Sequence, residues 1–262
     1  MKICTIASSS SGNCTLVTDG SVNILIDAGV SMRRIVAGLR RASIAPENLT
    51  AVLVTHEHSD HINGLPMLLK YYETPVFTTR GTAAGIRAVC PAADRYITEF
   101  SAGDIFELGS LSVRSFPTPH DTPESVGFRL TDEKGKTFVL ATDTGHLTDV
   151  MLEAASGADA AVIEANHDID MLKYGGYPAF LKRRILSDRG HMSNKVCGCF
   201  AQNLVRSGTR TLILAHLSRE NNTPELARAA VEGALREIGA VPGEDLTLAV
   251  APRCEMSGIF EL

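Results

Sequence analysis

The chain has 262 residues, 25 of them basic and 30 acidic, for a net charge of −5, and 44% of it is apolar. That length allows one large domain or two small ones, and the composition is that of a folded globular protein, excluding disorder, collagen-like repeats and coiled coil. No apolar run approaches the ~20 residues of a membrane span, Met1-Lys2-Ile3 leads into Ser8-Ser9-Ser10-Ser11 and not into an apolar signal core, and mild acidity argues against a non-specific nucleic-acid coat.

Lys2 to Ala7, Cys14 to Thr18 and Val22 to Ile26 read as strands, the last two joined by a turn at Asp19-Gly20. Ser31 to Arg41 reads as a helix, with Ser31 as N-cap and Ile35, Val36 and Leu39 on one face. A strand from Ala51 to Thr55 leads to a helix through Leu65, Leu68 and Leu69. Further strands are expected at Pro75 to Thr78, Leu111 to Phe116, Ser125 to Leu130, Thr137 to Ala141, Ala160 to Glu164, Thr211 to Ala215 and Leu246 to Val250. Helices are expected at Ala179 to Leu186, Asn194 to Ser207 and Pro224 to Ile238. With no linker or low-complexity break, the pattern predicts one domain over residues 1–262, in which hairpins and strand–helix units pack sheet on sheet under outer helices. The six cysteines are scattered, as in a reduced cytoplasmic protein, and the close pair Cys197 and Cys199 reads as buried thiols on a helix.

Three of the eight histidines fall in Thr55-His56-Glu57-His58-Ser59-Asp60-His61, directly after the apolar run Ala51-Val52-Leu53-Val54. A chain leaving a strand into a helix can turn His56 and His58 to one side and Asp60 and His61 to another, giving donors to two metals. Imidazole with carboxylate suits zinc, manganese or iron better than magnesium alone. Asp27, His120, Asp143 and His216 each follow an apolar strand, and strand tips at one edge of a sandwich are neighbours. The Ser8-Ser9-Ser10-Ser11-Gly12-Asn13 loop can offer hydroxyls and N–H groups to an anion. His191 lies just ahead of a helix that Ser193 can cap, and a helix N-terminus attracts phosphate.

Taken together, Asp27, the HxHxDH run at 56–61, His120, Asp143 and His216 resemble the five-motif signature of the metallo-β-lactamase fold, a four-layer αββα sandwich of α/β (α+β) class. The resemblance implies that His56, His58 and His120 bind one divalent ion, that Asp60, His61 and His216 bind a second, and that Asp143 bridges them. Asp27 and Glu164 are then expected behind the ligands. Two ions of this kind hold a shared hydroxide for hydrolysis, and His58, where the di-iron redox branch has glutamate, favours hydrolysis. The segments around Glu164, His191 and His216 occur in similar order in ribonuclease Z. The wider pattern SSGN, THEHSDH, TDTGH, EANHD, GHMSN and HLSRENN resembles the YycJ (WalJ) family almost throughout, the departure being Ala7-Ser8 where a glycine is common.

That family implies a 5′→3′ exonuclease acting on DNA, with no membrane partner. Asp60 and Asp143 would orient the hydroxide and His191 would protonate the leaving oxygen. Ser10, Ser11, Asn13, Asn166 and His167 are expected in the substrate pocket, His167 and His146 reading equally as hydrogen-bonded core or supporting residues. Asp143 and His216 are 73 positions apart, and predicted elements fill the gap, so the large β-CASP insert does not fit. Lys182-Arg183-Arg184, Arg33-Arg34 and Arg40-Arg41 are basic groups available to a phosphate backbone, or ordinary solvated helix faces. Ribonuclease or small-molecule phosphodiesterase activity is an alternative, as is a thioester or lactone hydrolase of the glyoxalase II type, which has no need of the Glu164 and His191 segments. A silent module with structural zinc is a third reading, opposed by the full ligand set. The sequence sets no oligomeric state.

Overall fold

The chain builds one sheet, then a second, and returns to the first with its last residues, in a computed structural model that describes residues 1–262. β1 (Lys2–Ala7), β2 (Cys14–Thr18) and β3 (Asn23–Ile26) form an antiparallel meander, onto which β4 (Ala51–Leu53), β5 (Val76–Thr79) and β6 (Ile97–Phe100) add in parallel. The second sheet opens with β7 (Ile105–Leu108), β8 (Leu111–Pro117), β9 (Val126–Asp132) and β10 (Thr137–Ala141), all antiparallel. β11 (Ala160–Glu164), β12 (Thr211–Ala215) and β13 (Thr247–Val250) extend it in parallel, and β14 (Phe260–Glu261) pairs back onto β1.

Helices α1 (Met32–Arg41), α2 (Ser59–Ile62), α3 (Leu65–Tyr72) and α4 (Arg80–Val89) connect strands of the first sheet. α5 (Asp149–Ala155), α6 (Ile169–Tyr174), α7 (Ala179–Ile185), α8 (Asn194–Arg206) and α9 (Pro224–Glu237) belong to the second. Three apolar clusters define four layers. Ile24 and Ile26 of β3 meet Phe128, Phe138 and Leu140 between the sheets. Leu25 points the other way, to Ile35 and Leu39 of α1 and Leu68 of α3. Val139 and Ala141 likewise face Phe200 of α8 and Val231 of α9. Alternation along a strand thus serves two buried faces, so these strands read as unbroken apolar runs. The αββα sandwich is the one the sequence led us to expect, and no helix is long and apolar enough to cross a membrane.

Six elements went unread in the sequence. In α4, RGTAAGIRAV has only Ile86 and Val89 as large apolar residues, and the helix is started by the Thr79 side chain, which accepts from Thr82 N, and by Gly81 N, which donates to Glu124 Oε2 at 2.8 Å. β6 and β7 close the two sheets as partly exposed edge strands without an apolar run, and β14 has two residues. α5 and α6 are short and rest on caps: Thr148 accepts from Met151 N, and Asp168 Oδ1 from Asp170 N and Met171 N. One expectation is corrected. Cys197 is buried on α8 but Cys199 is exposed, because neighbours two apart on a helix face different ways.

Candidate metal centre

The chemistry-bearing residues sit where strands end. Asp27 follows β3 directly, Asp143 lies two residues past β10, Glu164 is the last residue of β11, and His216 follows β12 directly. Asp27, Asp143 and His216 have φ of 63°, 57° and 55°, a left-handed backbone that non-glycine residues adopt at a cost of about 1–3 kcal/mol each. The turns are pinned from outside: Asp27 N donates to Leu53 O (2.8 Å) and His216 N to Ser8 Oγ (2.7 Å). Each turn directs a side chain to the edge where the two sheets meet. His58 precedes the short α2, which carries Asp60 and His61. α2 lies so close to the turn after β3 that a Cβ on Gly29 would stand 1.6 Å from Asp60 O, and only glycine fits there.

A single rule orders five of the imidazoles: Nδ1 is engaged by a fixed neighbour. His61 Nδ1 donates to Asp27 Oδ2 (2.7 Å), and Asp27 also accepts from Thr55 N (2.8 Å) and Thr55 Oγ1. His56 Nδ1 lies 3.0 Å from the same Thr55 hydroxyl. His120 Nδ1 donates to Gly190 O at 3.1 Å. His191 and His216 both donate through Nδ1 to Glu164 Oε1, each at 2.8 Å, while Glu164 Oε2 accepts from Thr144 N and Met192 N. What remains at each ring is Nε2. That of His61 lies 3.4 Å from Asp60 Oδ2 and 3.3 Å from Asp143 Oδ2, and that of His216 lies 3.4 Å from Asp60 Oδ2. The His120 Nε2 lies 3.2 Å from His58 Nδ1 and 4.0 Å from Asp143 Oδ1. Imidazole nitrogens and carboxylate oxygens therefore crowd together across the centre, and the Asn13 amide nitrogen lies 3.1 Å from His61 Nε2. His56 Nε2 and Asp143 Oδ2 are buried there without a hydrogen bond. Fixing Nδ1 so that Nε2 serves as a donor atom is how proteins prepare histidines for metals.

Electrostatics agree. Burial pulls the His61 imidazole down, but Asp27, Asp143 and Asp60 outweigh it and raise it well above the usual histidine value. For His216, burial is likewise overcome, by Asp143 and by bonds to Asp60 and Glu164, and its pKa rises to about 10. His56 and His120 go the other way, depressed chiefly by burial. Despite burial, the Asp60 and Glu164 carboxyls lie far below their usual range, held there by the surrounding imidazoles. A buried nest of carboxylates that raises His61 and His216 calls for positive charge, carried by protons on the rings or by cations in their place, and its oxygen and nitrogen donors fit divalent metal ions.

The donor atoms fall into overlapping groups, each with its members within 4.8 Å of one another: His56, His58 and His120; Asp60, His61 and His216; His56, His61 and Asp143; Asp143, Glu164, His191 and His216. All seven residues expected from the sequence to be ligands are thus brought together, and Asp143 stands between the first two sets. The residues expected to bind substrate are placed differently. Asn13 is buried and directs its amide to Asp60 Oδ2 (3.2 Å), and Asn166, also buried, donates to His216 O (3.1 Å). His167 is 1% exposed, makes no hydrogen bond through its ring, and is lowered by burial to about pKa 4, hence neutral. All three are packed into the protein around the cluster, the loops carrying them being drawn inward by backbone bonds such as Asn13 N to Asp60 O. Ser10 and Ser11 lie exposed at the loop tip, and His146 sits exposed with its Nδ1 donating to Asp188 O.

Asp121 was not anticipated, nor was its pairing with Arg184, which the sequence offered only as a basic group for phosphate. Asp121 Oδ1 lies 3.4 Å from His120 Nε2 and 3.7 Å from His58 Nε2, and its other oxygen holds Arg184 Nε of α7. Burial favours the neutral acid, yet the Arg184 bond lowers the Asp121 pKa. The available signal was a carboxylate adjacent to a candidate ligand.

Metal-capable side chains from strand tips and from α2, closing over a divalent-ion site at the rim of an αββα sandwich, define a metallohydrolase. A family model described as a β-lactamase superfamily domain matches residues 22–217. The chain is 38% identical over 242 residues to the exodeoxyribonuclease YycJ of Bacillus anthracis, covering 91% of this chain and 90% of that one. It is 34% identical over 249 residues to the exodeoxyribonuclease WalJ of Streptococcus pneumoniae, covering 93% and 91%. The protein belongs to the β-lactamase superfamily and, within it, to the family of YycJ and WalJ. Among solved structures, the metallo-β-lactamase fold protein YhfI of Bacillus subtilis superposes with a TM-score of 0.74 at 18% identity, over 100% of this chain and 98% of that one. The short form of human tRNase Z does so with 0.66 at 15%, over 98% and 99%, so the likeness to both is one of fold.

Proposed function

We propose that this protein is a metal-dependent exonuclease that hydrolyses DNA phosphodiester bonds in the 5′→3′ direction, with two divalent ions, zinc or manganese, per chain. The observation that carries the reading is the shared orientation of His56, His61, His120 and His216, each engaged at Nδ1 so that its other nitrogen faces the cluster, around a carboxylate placed between two donor sets. His56, His58 and His120 would hold one ion and Asp60, His61 and His216 the other, with Asp143 within reach of both sets. When bound, such ions supply a nucleophile from water at neutral pH and neutralise charge developing on the phosphoryl group.

The protein's own groups do the rest. Asp27, through Thr55 and His61, keeps the histidine run in register with the turn after β3. Asp60 and Asp143 orient the attacking oxygen as acceptors for its hydrogen. His191 is 18% exposed, the accessible imidazole beside the cluster that no ion needs. With its Nδ1 hydrogen held by Glu164, its imidazolium offers the second proton, at Nε2, to the leaving oxygen. Thioester hydrolysis has no use for this pair, because a thiolate leaves without help from an acid.

Names of the relatives supply the choice of DNA. The test is incubation of metal-loaded protein with 5′- and 3′-labelled DNA and RNA, single- and double-stranded, beside a thioester and a lactone. DNA shortened from its 5′ end is expected. Intact DNA with rapid thioester turnover, or equal loss of RNA, would overturn the assignment.

A further inference from the structure

We propose that α6, α7 and the loop between them form the surface that grips a single-stranded nucleic-acid end and feeds it to the metal centre; this rests on the nucleic-acid reading above. Four of the chain's twelve exposed large apolar side chains fall within residues 169–186: Ile169, Tyr174, Phe180 and Leu186. Tyr174 is 75% and Phe180 67% exposed, although neither element is at a sheet edge and the other phenylalanines are largely covered. The same stretch is basic. From Ile169 to Arg189 it carries Lys173, Lys182, Arg183, Arg184 and Arg189 against Asp170 and Asp188, in a chain whose net charge is −5. Solvent-facing aromatics interleaved with cations suit an unpaired strand, whose bases stack on the rings while its phosphates meet the cations. A duplex hides its bases and gains nothing from the rings.

The surface is continuous with the active centre. Arg184 is held by Asp121, which lies 3.4 Å from His120 Nε2. His191 N donates to Ile185 O, the last residue of α7, and Arg189 Nε donates to His120 O. Lys182 Nζ donates to Lys173 O and Gly175 O, fixing α7 against the end of α6, so the platform is rigid. Arg183 has no ion-pair partner and Lys173 stands over the Tyr174 ring, which leaves both to a phosphate backbone. A strand lying along α7 thus reaches the cluster past Arg184.

The test compares metal-loaded parent, the double variant Tyr174→Ala/Phe180→Ala, and Arg183→Glu. Binding of fluorescent single-stranded DNA with a cleavage-resistant phosphorothioate backbone is read by anisotropy at several salt concentrations. Hydrolysis of bis(p-nitrophenyl) phosphate, which is too small to reach the platform, is read in parallel. Each aromatic removed should weaken strand binding about tenfold or more. Arg183→Glu should flatten the salt dependence by about one phosphate contact. Hydrolysis of the small diester should stay at the parental rate in both. Parental strand affinity in both variants overturns the placement while leaving the nuclease reading intact. A parent that cleaves the small diester yet binds neither DNA nor RNA overturns the nucleic-acid reading itself, and this proposal with it. Variants that lose binding to phosphatidylglycerol vesicles, or lose a dimer, at unchanged strand affinity assign the surface to a membrane or a second copy and refute the proposal.

Discussion

Glu164→Gln removes one charge and no volume, yet it is expected to damage either the fold or the metal site. The carboxylate accepts four hydrogen bonds: His191 Nδ1 and His216 Nδ1 on Oε1, Thr144 N and Met192 N on Oε2. An amide has one accepting end. If its NH2 faces the two backbone N–H groups, two buried donors lose their acceptor at about 1–3 kcal/mol each, a total of about 2–6 kcal/mol. If its NH2 faces the imidazoles, these must shift their hydrogens to Nε2, which protonates His216 on the nitrogen meant for metal. Either placement fails, the first in stability and the second in binding. Thermal unfolding of chelated protein measures the first, at about 2–4 °C per kcal/mol for a chain near this size. Zinc titration measures the second, where a loss of about 10–100-fold is expected for a group that orients a ligand. A Glu164→Gln protein with both the melting temperature and the zinc affinity of the parent would refute the shared-acceptor argument.

Asp143→Ala, which takes away the carboxylate between the two donor sets, should leave less than the parental metal content by elemental analysis and no measurable hydrolysis. His191→Ala should keep its metal and slow cleavage by about 10²–10⁴-fold, the usual contribution of a proton donor; cleavage at the parental rate removes it from that role. Gly29→Ala must push Asp60 away, since the new methyl would lie 1.6 Å from its carbonyl oxygen, and should cost about 1–3 kcal/mol or more in urea unfolding together with weaker metal binding. The chelated protein should also lose stability as pH rises. His216 is raised to about 10 from an unfolded value near 6.5, so its contribution is full below about 6.5 and is lost by about 10. Melting curves between pH 6 and 10 should fall for chelated protein and stay flat with zinc bound.

The centre was legible because of how this fold spends its polar residues. Strands buried on both faces must be apolar throughout, so the first charged side chain after Val22–Ile26, Phe138–Ala141 or Leu212–Ala215 stands out and marks the strand's end, where the site is built. What those tips do next was not written locally. The left-handed turns at Asp27, Asp143 and His216 are set by bonds from Leu53, from the Glu164 region and from Ser8, all remote in sequence. The same remoteness hides the burial of Asn13, Asn166 and His167: a polar residue beside a ligand can face the substrate or support the ligand, and packing set by distant segments decides how much of it is covered. Asp121 was hidden by its neighbour, since His120 already explained that position. Its importance comes from a guanidinium 63 residues away on a helix seven residues long, whose exposed aromatic and basic faces carry no periodic apolar signal. Side chains that serve the fold leave a pattern in the sequence, because burial repeats with the backbone. Those that meet a ligand do not, because the ligand supplies the other half of the contact.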